Sequence, residues 1–156
     1  MSNNVAIVSG AARGMGNGFA KKLASEGYKV LAFDIDKAVE NLKGVQGMVA
    51  DVSKVDQVEA VVEEANKLGV IKVVVNNAGA WRKTPVDSPW EQALSDWDYI
   101  MNTNLKGVLM LSRASIAHMK ARGGNIINIS SYYVLPAKSA GTNLSLIHIS
   151  EPTRPY

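Results

Sequence analysis

Short apolar runs, each stopping at a glycine, an asparagine or an aspartate, alternate along the chain with stretches whose apolar residues recur at helical spacing. The first run, Val5-Ala6-Ile7-Val8, is apolar at every position, as a parallel strand buried on both faces must be. Glycines follow at Gly10, Gly14 and Gly16, and then Phe19, Ala20, Leu23 and Ala24 mark one face of a helix that Gly27 ends. Lys29 to Phe33 predicts a second strand, stopping at Asp34, and Val45 to Ala50 a third, ending in Asp51-Val52. Ser53 with Asp56 reads as a capping box opening a helix whose stripe is Val55, Val58, Val61, Val62, Ala65 and Leu68. A fourth strand, Ile71 to Val75, runs into Asn76-Asn77-Ala78-Gly79. Trp81 to Leu94 reads as a loop with a short helical turn, and Ser95 to Asp98 as a second capping box opening a long helix to about Arg122. Gly123-Gly124 ends that helix, and Asn125 to Ser130 predicts a fifth strand. Strands alternating with helices mean a parallel sheet wound with right-handed crossovers.

The long helix carries more apolar surface than one core needs. Tyr99, Ile100, Leu105, Val108, Leu109, Leu111, Ala114, Ile116 and Met119 spread around it, which suits either a second buried surface or a single-sided core helix. Composition narrows the function classes. At 156 residues, with 47% hydrophobic and 20% charged residues, the chain fits one ordinary globular domain. The absence of cysteine excludes disulfides and thiolate metal sites, and His118 and His148 stand too far apart to suggest zinc. A net charge of +3 with a pI near 9.1 hints at nucleic acid. The basic residues are dispersed, however, with only Lys21-Lys22 and Arg82-Lys83 adjacent, so neither a nucleic-acid nor a membrane partner is expected. No apolar run reaches membrane-spanning length, and Met1-Ser2-Asn3-Asn4 lacks the positive region of a secretory signal, so the expectation is a cytoplasmic protein.

The candidate chemistry gathers at the strand ends. Gly10-x-x-x-Gly14-x-Gly16, preceded by Ser9, lets an anionic ligand approach the backbone while the next helix presents its N–H groups and positive dipole end. The spacing differs from G-x-G-x-x-G, and an ordinary strand-to-helix turn also uses glycines, so the turn alone decides nothing. Asp34, about twenty residues on at the end of the second strand, can accept hydrogen bonds from adenosine ribose hydroxyls and would repel a 2′-phosphate, which argues for NAD over NADP. Arg13 pulls the other way, since a guanidinium there could meet that phosphate. The plainer role for Asp34 is a strand-end turn residue.

The glycine turn, Asp34, Asp51-Val52 and Asn76-Asn77-Ala78-Gly79, in this order and each at the carboxyl end of a predicted strand, resemble the short-chain dehydrogenase/reductase family. Singly, each could be a strand-end turn. The match spans residues 5 to about 143. The resemblance implies an α/β Rossmann-type doubly wound sheet, truncated after its fifth strand, in the order 3-2-1-4-5. It also implies that Asp51 and Val52 flank the adenine and that Asn77, Ala78 and Gly79 line the cofactor. Met15, at the helix start, would touch the pyrophosphate. Asn104, in Asn102-Thr103-Asn104-Leu105, would hold the water of a proton relay, and Ser131, the second serine of Asn-Ile-Ser-Ser, would take the catalytic serine's role. The family packs the corresponding long helices between subunits, so a homo-oligomer is expected.

The pattern then breaks. The family follows its serine, about thirteen residues on, with a tyrosine, and four residues later with a lysine that lowers the phenol's pKa and holds the nicotinamide ribose. Those positions here are Leu144 and His148; Tyr132 and Tyr133 come too early, and Tyr156 too late. From Leu144 the likeness stops, and LSLIHISEPTR resembles the in-frame translation of a transposon-type sequencing-library adapter, codon for codon. The expectation is therefore an incomplete dinucleotide-binding domain over residues 1–143 and a non-native tail over 144–156. Three functions stay open. One is a fragment of an NAD-dependent enzyme interconverting an alcohol and a ketone, inactive as it stands. The others are a non-catalytic dinucleotide-binding module and a nucleic-acid binder supported only by the pI. Sequencing the gene beyond the codon for Asn143 tests the first, which expects a tyrosine and then a lysine at the family spacing; a continuation lacking both favours the module.

Overall fold

The structure, a computed structural model, describes residues 3–131. Five parallel strands, β1 (Asn4–Ser9), β2 (Lys29–Asp34), β3 (Gln46–Val49), β4 (Val70–Asn76) and β5 (Asn125–Asn128), form one sheet in the order β3-β2-β1-β4-β5, as expected. The helices are α1 (Gly14–Ser25), α2 (Val55–Leu68), α3 (Trp90–Met101) and α4 (Gly107–Met119), with a single 3-10 turn at Lys37–Asn41 and a π-helical turn at Asn102–Lys106. Period-two alternation along β1 divides the core. Val5 and Ile7 pack with Leu31 and Phe33 among Val58, Val61 and Ala65 of α2 and Leu111 of α4. Ala6 and Val8 pack on the other face with Ala32, Val75, Val39 and Ala20 of α1. Covered on both faces from Val5 to Val8, β1 has no room there for a polar side chain, and a chain wound this way must bring the carboxyl ends of β1 to β4 to one side.

Several local expectations give way to tertiary structure. No full helix joins β2 to β3; the 3-10 turn, capped by Asp36 accepting from the Ala38 N–H (2.9 Å), makes the connection. The Ser53–Asp56 capping box does not form. α2 starts after Lys54 without a side-chain cap, Asp51 Oδ1 accepts from the Ser53 N–H (2.8 Å), and Val55 is 56% exposed rather than part of the buried stripe. In β4 the register steps at Lys72, which faces no residue of β1; its ammonium instead donates to the Arg122 and Gly123 carbonyls that lead from α4 into β5. Among the described residues no helix is long and apolar enough to cross a membrane.

The second capping box also fails, and its failure is informative. α3 begins at Trp90, five residues before Ser95, so part of the expected loop after Trp81 is helical. The helical path runs on through the π turn to Met119, burying Ile100, Leu111 and Met119 while Tyr99, Leu105, Leu109 and Ile116 stay exposed. Asp96 is not a capping residue; its side chain is only 4% exposed inside α3. Its carboxylate accepts from Arg82 Nη1 (2.9 Å), Gln92 Nε2 (2.9 Å) and Thr84 Oγ1 (3.0 Å). The acid thereby clamps the segment after β4 onto α3. The Gln92 and Arg82 hydrogen bonds, opposed by burial and helped by Thr84, hold the Asp96 carboxyl below the usual carboxylate range.

A carboxylate whose pKa is depressed on folding contributes stability above its unfolded value of about 4 and loses it as pH falls through the lowered folded value. Asp96→Asn should therefore lower the thermal midpoint at pH 7. The gap to the parent should narrow as the pH is taken from about 5 to below about 3. Thermal unfolding across that range measures it, and a gap independent of pH would mean the charge of Asp96 does not support the fold.

Candidate functional site

A crevice opens where the connections leaving β1 and β4 diverge to opposite sides of the sheet, the usual ligand position in an open parallel sheet. It forms a cavity of ≈ 890 Å³, toward the roomy end of the roughly 300–1,000 Å³ of small-molecule sites. Gly10, Arg13 and Met15 line it from the first turn, Asp34 and Asp36 from the end of β2, Asp51 and Val52 from the end of β3, and Asn77, Ala78 and Gly79 from the end of β4. These expected residues, drawn from positions far apart in sequence, therefore share one wall system. Gly14 and Gly16 do not line the cavity; they shape the turn beneath it.

The turn is tightly determined. Gly10 adopts φ +64° and Gly14 φ +57°, the left-handed region that a residue without a Cβ enters without strain. A Cβ on Gly10 would stand 2.7 Å from the Ala78 Cα, and one on Gly16 would run into the Gly10 carbonyl oxygen. α1 thus starts directly against the turn, with Met15 of its first turn lining the cavity; the first N–H groups of a helix have no partner within it. Ser9, buried to 1% exposure, donates to the Val75 carbonyl (3.2 Å) and accepts from the Asn77 and Ala78 N–H groups (both 3.0 Å). The Asn77 amide in turn donates to the Ser9 and Gly10 carbonyls (both 3.0 Å).

At the end of β2, Asp34 is engaged on both oxygens. Oδ2 accepts from the Ala12 N–H (2.9 Å) and Oδ1 from the Asp36 N–H (3.0 Å). Each oxygen keeps a second lone pair, so the carboxylate is oriented by the backbone and can still accept from hydroxyl groups. Across the cavity, three carboxylates (Asp34, Asp36 and Asp51) face two cations (Arg13 and Lys54). Asp36, Lys54, Phe33, Tyr99, Asn102 and Thr103 line the cavity without having been expected there. The closeness of Asp36 to Asp34 in the chain was the visible signal for the first; nothing in the local pattern announced the others.

Asn104 and Ser131 lie outside the cavity lining. Asn104 sits in the π turn, where its Oδ1 accepts from the Ala80 N–H (2.7 Å) and its Nδ2 donates to the Ala80 carbonyl (2.9 Å). It pins the chain just after Gly79. Ser131, half-buried, follows β5 at the same end of the sheet as Asn77 to Gly79. Leu144 and His148, which stand where a tyrosine and a lysine were sought, lie outside the described residues, as does the tail over 144–156.

Comparison with known proteins gives one consistent result. The profile of the short chain dehydrogenase family matches residues 4–141. A galactitol 2-dehydrogenase of Agrobacterium fabrum is 35% identical over 142 residues, covering 84% of this chain and 54% of the relative. A 3-oxoacyl-[acyl-carrier-protein] reductase of Thermotoga maritima is 35% identical over 154 residues, covering 92% and 61%. A 2-dehydro-3-deoxy-D-gluconate 5-dehydrogenase of Escherichia coli is 34% identical over 141 residues, covering 84% and 54%. The chain spans a little over half the length of these curated relatives.

Proposed function

The chain belongs to the short-chain dehydrogenase family, and on that premise we propose that it is the dinucleotide-binding part of an NAD-dependent oxidoreductase acting on a small alcohol or ketone. One observation carries the reading: the glycine turn, the oriented Asp34 and the Asn77-Ala78-Gly79 turn converge on a single cavity. The fit is physical, because a Cβ at Gly10 would run into Ala78 and one at Gly16 into the Gly10 carbonyl, so only glycines allow the tight turn that sets the start of α1 against the cavity. When bound, the cofactor supplies the hydride chemistry of the family. The α1 N–H groups, Met15 among them, hold the pyrophosphate, and Asp51 and Val52 border the adenine. Asp34 accepts from the ribose hydroxyls. The excess of carboxylate over cation around it disfavours a 2′-phosphate, outweighing Arg13.

For the reacting end, Ser131 is the proposed holder of the substrate oxygen. The Asn104 side chain spends one accepted and one donated bond on Ala80, and its remaining lone pair and N–H, with its main chain, are what it offers a relay water. The chain carries no tyrosine and lysine at the family spacing after Ser131, and the family match stops at residue 141, before the adapter-like tail. We therefore read residues 144–156 as non-native and the chain as lacking its general acid and base. The relatives are named for galactitol, 3-oxoacyl and 2-dehydro-3-deoxy-D-gluconate substrates. An alcohol–ketone pair is as far as that takes this chain. The exposed stripe of Leu105, Leu109 and Ile116 supports a homo-oligomer.

Two outcomes test this reading. Calorimetric titration should give tighter binding of NAD than of NADP, with Asp34→Ala narrowing the difference; tighter NADP binding would assign the choice to Arg13. Assayed for NADH formation against a panel of secondary alcohols, the 156-residue chain should show no measurable turnover, since a positioned acid or base alone contributes about 10²–10⁴ in rate. Extending residues 1–143 with a family-type continuation bearing tyrosine and lysine in register should restore it. Clear turnover by the short chain would overturn the assignment of chemistry to the absent pair, and NAD binding without turnover in the extended chain would favour a non-catalytic module.

A further inference from the structure

The clamp around Asp96 reaches the cavity through an aromatic ring. Arg82, fixed by the buried Asp96 carboxylate, lays its guanidinium over Tyr99, with Cζ 4.1 Å from the ring centroid. Tyr99 is 40% exposed and lines the cavity together with Asn102 and Thr103. This wall belongs to the same cavity as the end of β3. Asp51 to Lys54 line the cavity with it, and Gly107, at the start of α4, sits so close to Val52 that a Cβ there would lie 2.9 Å from Val52 Cγ1. With one face of the ring under the guanidinium, its remaining face and edge are what Tyr99 offers the cavity. A cation held over one face fixes a ring's orientation, and a fixed aromatic face is a stacking platform for a nucleobase.

Resting on the dinucleotide reading above, we propose that Tyr99 is a wall of the purine-base subsite, and that Arg82 and Asp96 are positioning residues that hold its ring in place. Arg82 touches the ring, Asp96 acts through Arg82, and Thr84 and Gln92 complete the acid's hydrogen bonding so that the guanidinium has a single anchor. The segment carrying Arg82 and Thr84 follows Ala80, itself pinned by Asn104, so the wall and the turn under the cofactor are set by one stretch of chain.

ADP-ribose, which carries the base but no nicotinamide, is the probe, titrated by calorimetry into the 156-residue chain. Tyr99→Leu should weaken its binding by about tenfold, the usual order for a lost base–aromatic stack, and Tyr99→Phe should restore it. Arg82→Ala should weaken binding by a comparable factor, and the Arg82→Ala/Tyr99→Leu pair should be little worse than either alone, because both remove the same platform. Asp96→Asn should behave like Arg82→Ala. Should Asp96→Asn or Arg82→Ala, which strip the clamp, unfold or lower the thermal midpoint, Tyr99→Leu against Tyr99→Phe carries the test, an unchanged midpoint in that pair separating a binding effect from a structural one. Unchanged affinity in Tyr99→Leu, or fully additive losses in the pair, would overturn the inference while leaving the dinucleotide site standing. Failure of the unaltered chain to bind ADP-ribose would overturn both.

Discussion

One buried hydroxyl holds the crevice open at the right place. In a doubly wound sheet the chains leaving β1 and β4 must part, and the parted ends expose backbone groups that no strand can satisfy. Ser9 meets that need with one donor and two accepted bonds, tying the Val75 carbonyl and the Asn77 and Ala78 N–H groups to the end of β1. An apolar residue of the same size would leave two part-buried backbone donors unpaired, at up to about 1–3 kcal/mol for each group. Asn77 closes the loop from the other side. Its amide takes up the Ser9 and Gly10 carbonyls. The glycines allow the turn; these two side chains select it.

How much of this was legible depends on the range of the interaction. β1, β2 and β4 were readable because a strand buried on both faces leaves a continuous apolar run, and their order followed from the resemblance built on their end motifs. The glycine turn, Asp34 and the Asn76 to Gly79 turn were readable for the same reason, since each lies where an apolar run stops. The capping boxes were not. Ser53 to Asp56 and Ser95 to Asp98 both satisfy the local pattern, yet Asp51 and Gln57 organise the start of α2 and Asp96 is drawn into the interior by Arg82, Gln92 and Thr84. Short-range patterns fail where a side chain has a better partner at long range. The π turn follows no periodic pattern in the sequence; it lies where Asn104 pairs with Ala80, twenty-four residues away.

That pairing and the Asp96 clamp share a logic. The stretch from Gly79 to Thr84 has no strand or helix to support it, so its backbone order comes from side chains of the following helical path. Asn104 imitates a peptide group toward Ala80, and Asp96 gathers Arg82 and Thr84. A loop pinned at two points by a packed helix is set before any ligand arrives, which lowers the ordering cost that binding would otherwise bear. The mixed polarity of Asn102-Thr103-Asn104, unusual for a helix whose other residues are mostly apolar, is the local sign of this use.

Asp34 shows the limit of assigning one task to one residue. In its proposed role as selector of cofactor it would need only a negative charge near the ribose. Its oxygens also accept from the Ala12 and Asp36 N–H groups, so the same carboxylate joins the glycine turn to the chain leaving β2. Removing it frees two backbone donors and loosens the glycine turn. Arg13 lies within that turn, directly after Ala12 and directly before Gly14, so its reach toward a phosphate depends on the geometry Asp34 maintains. Charge selection and turn geometry are coupled through one side chain, and a change of cofactor preference has to supply a new acceptor for the Ala12 N–H as well as a new charge.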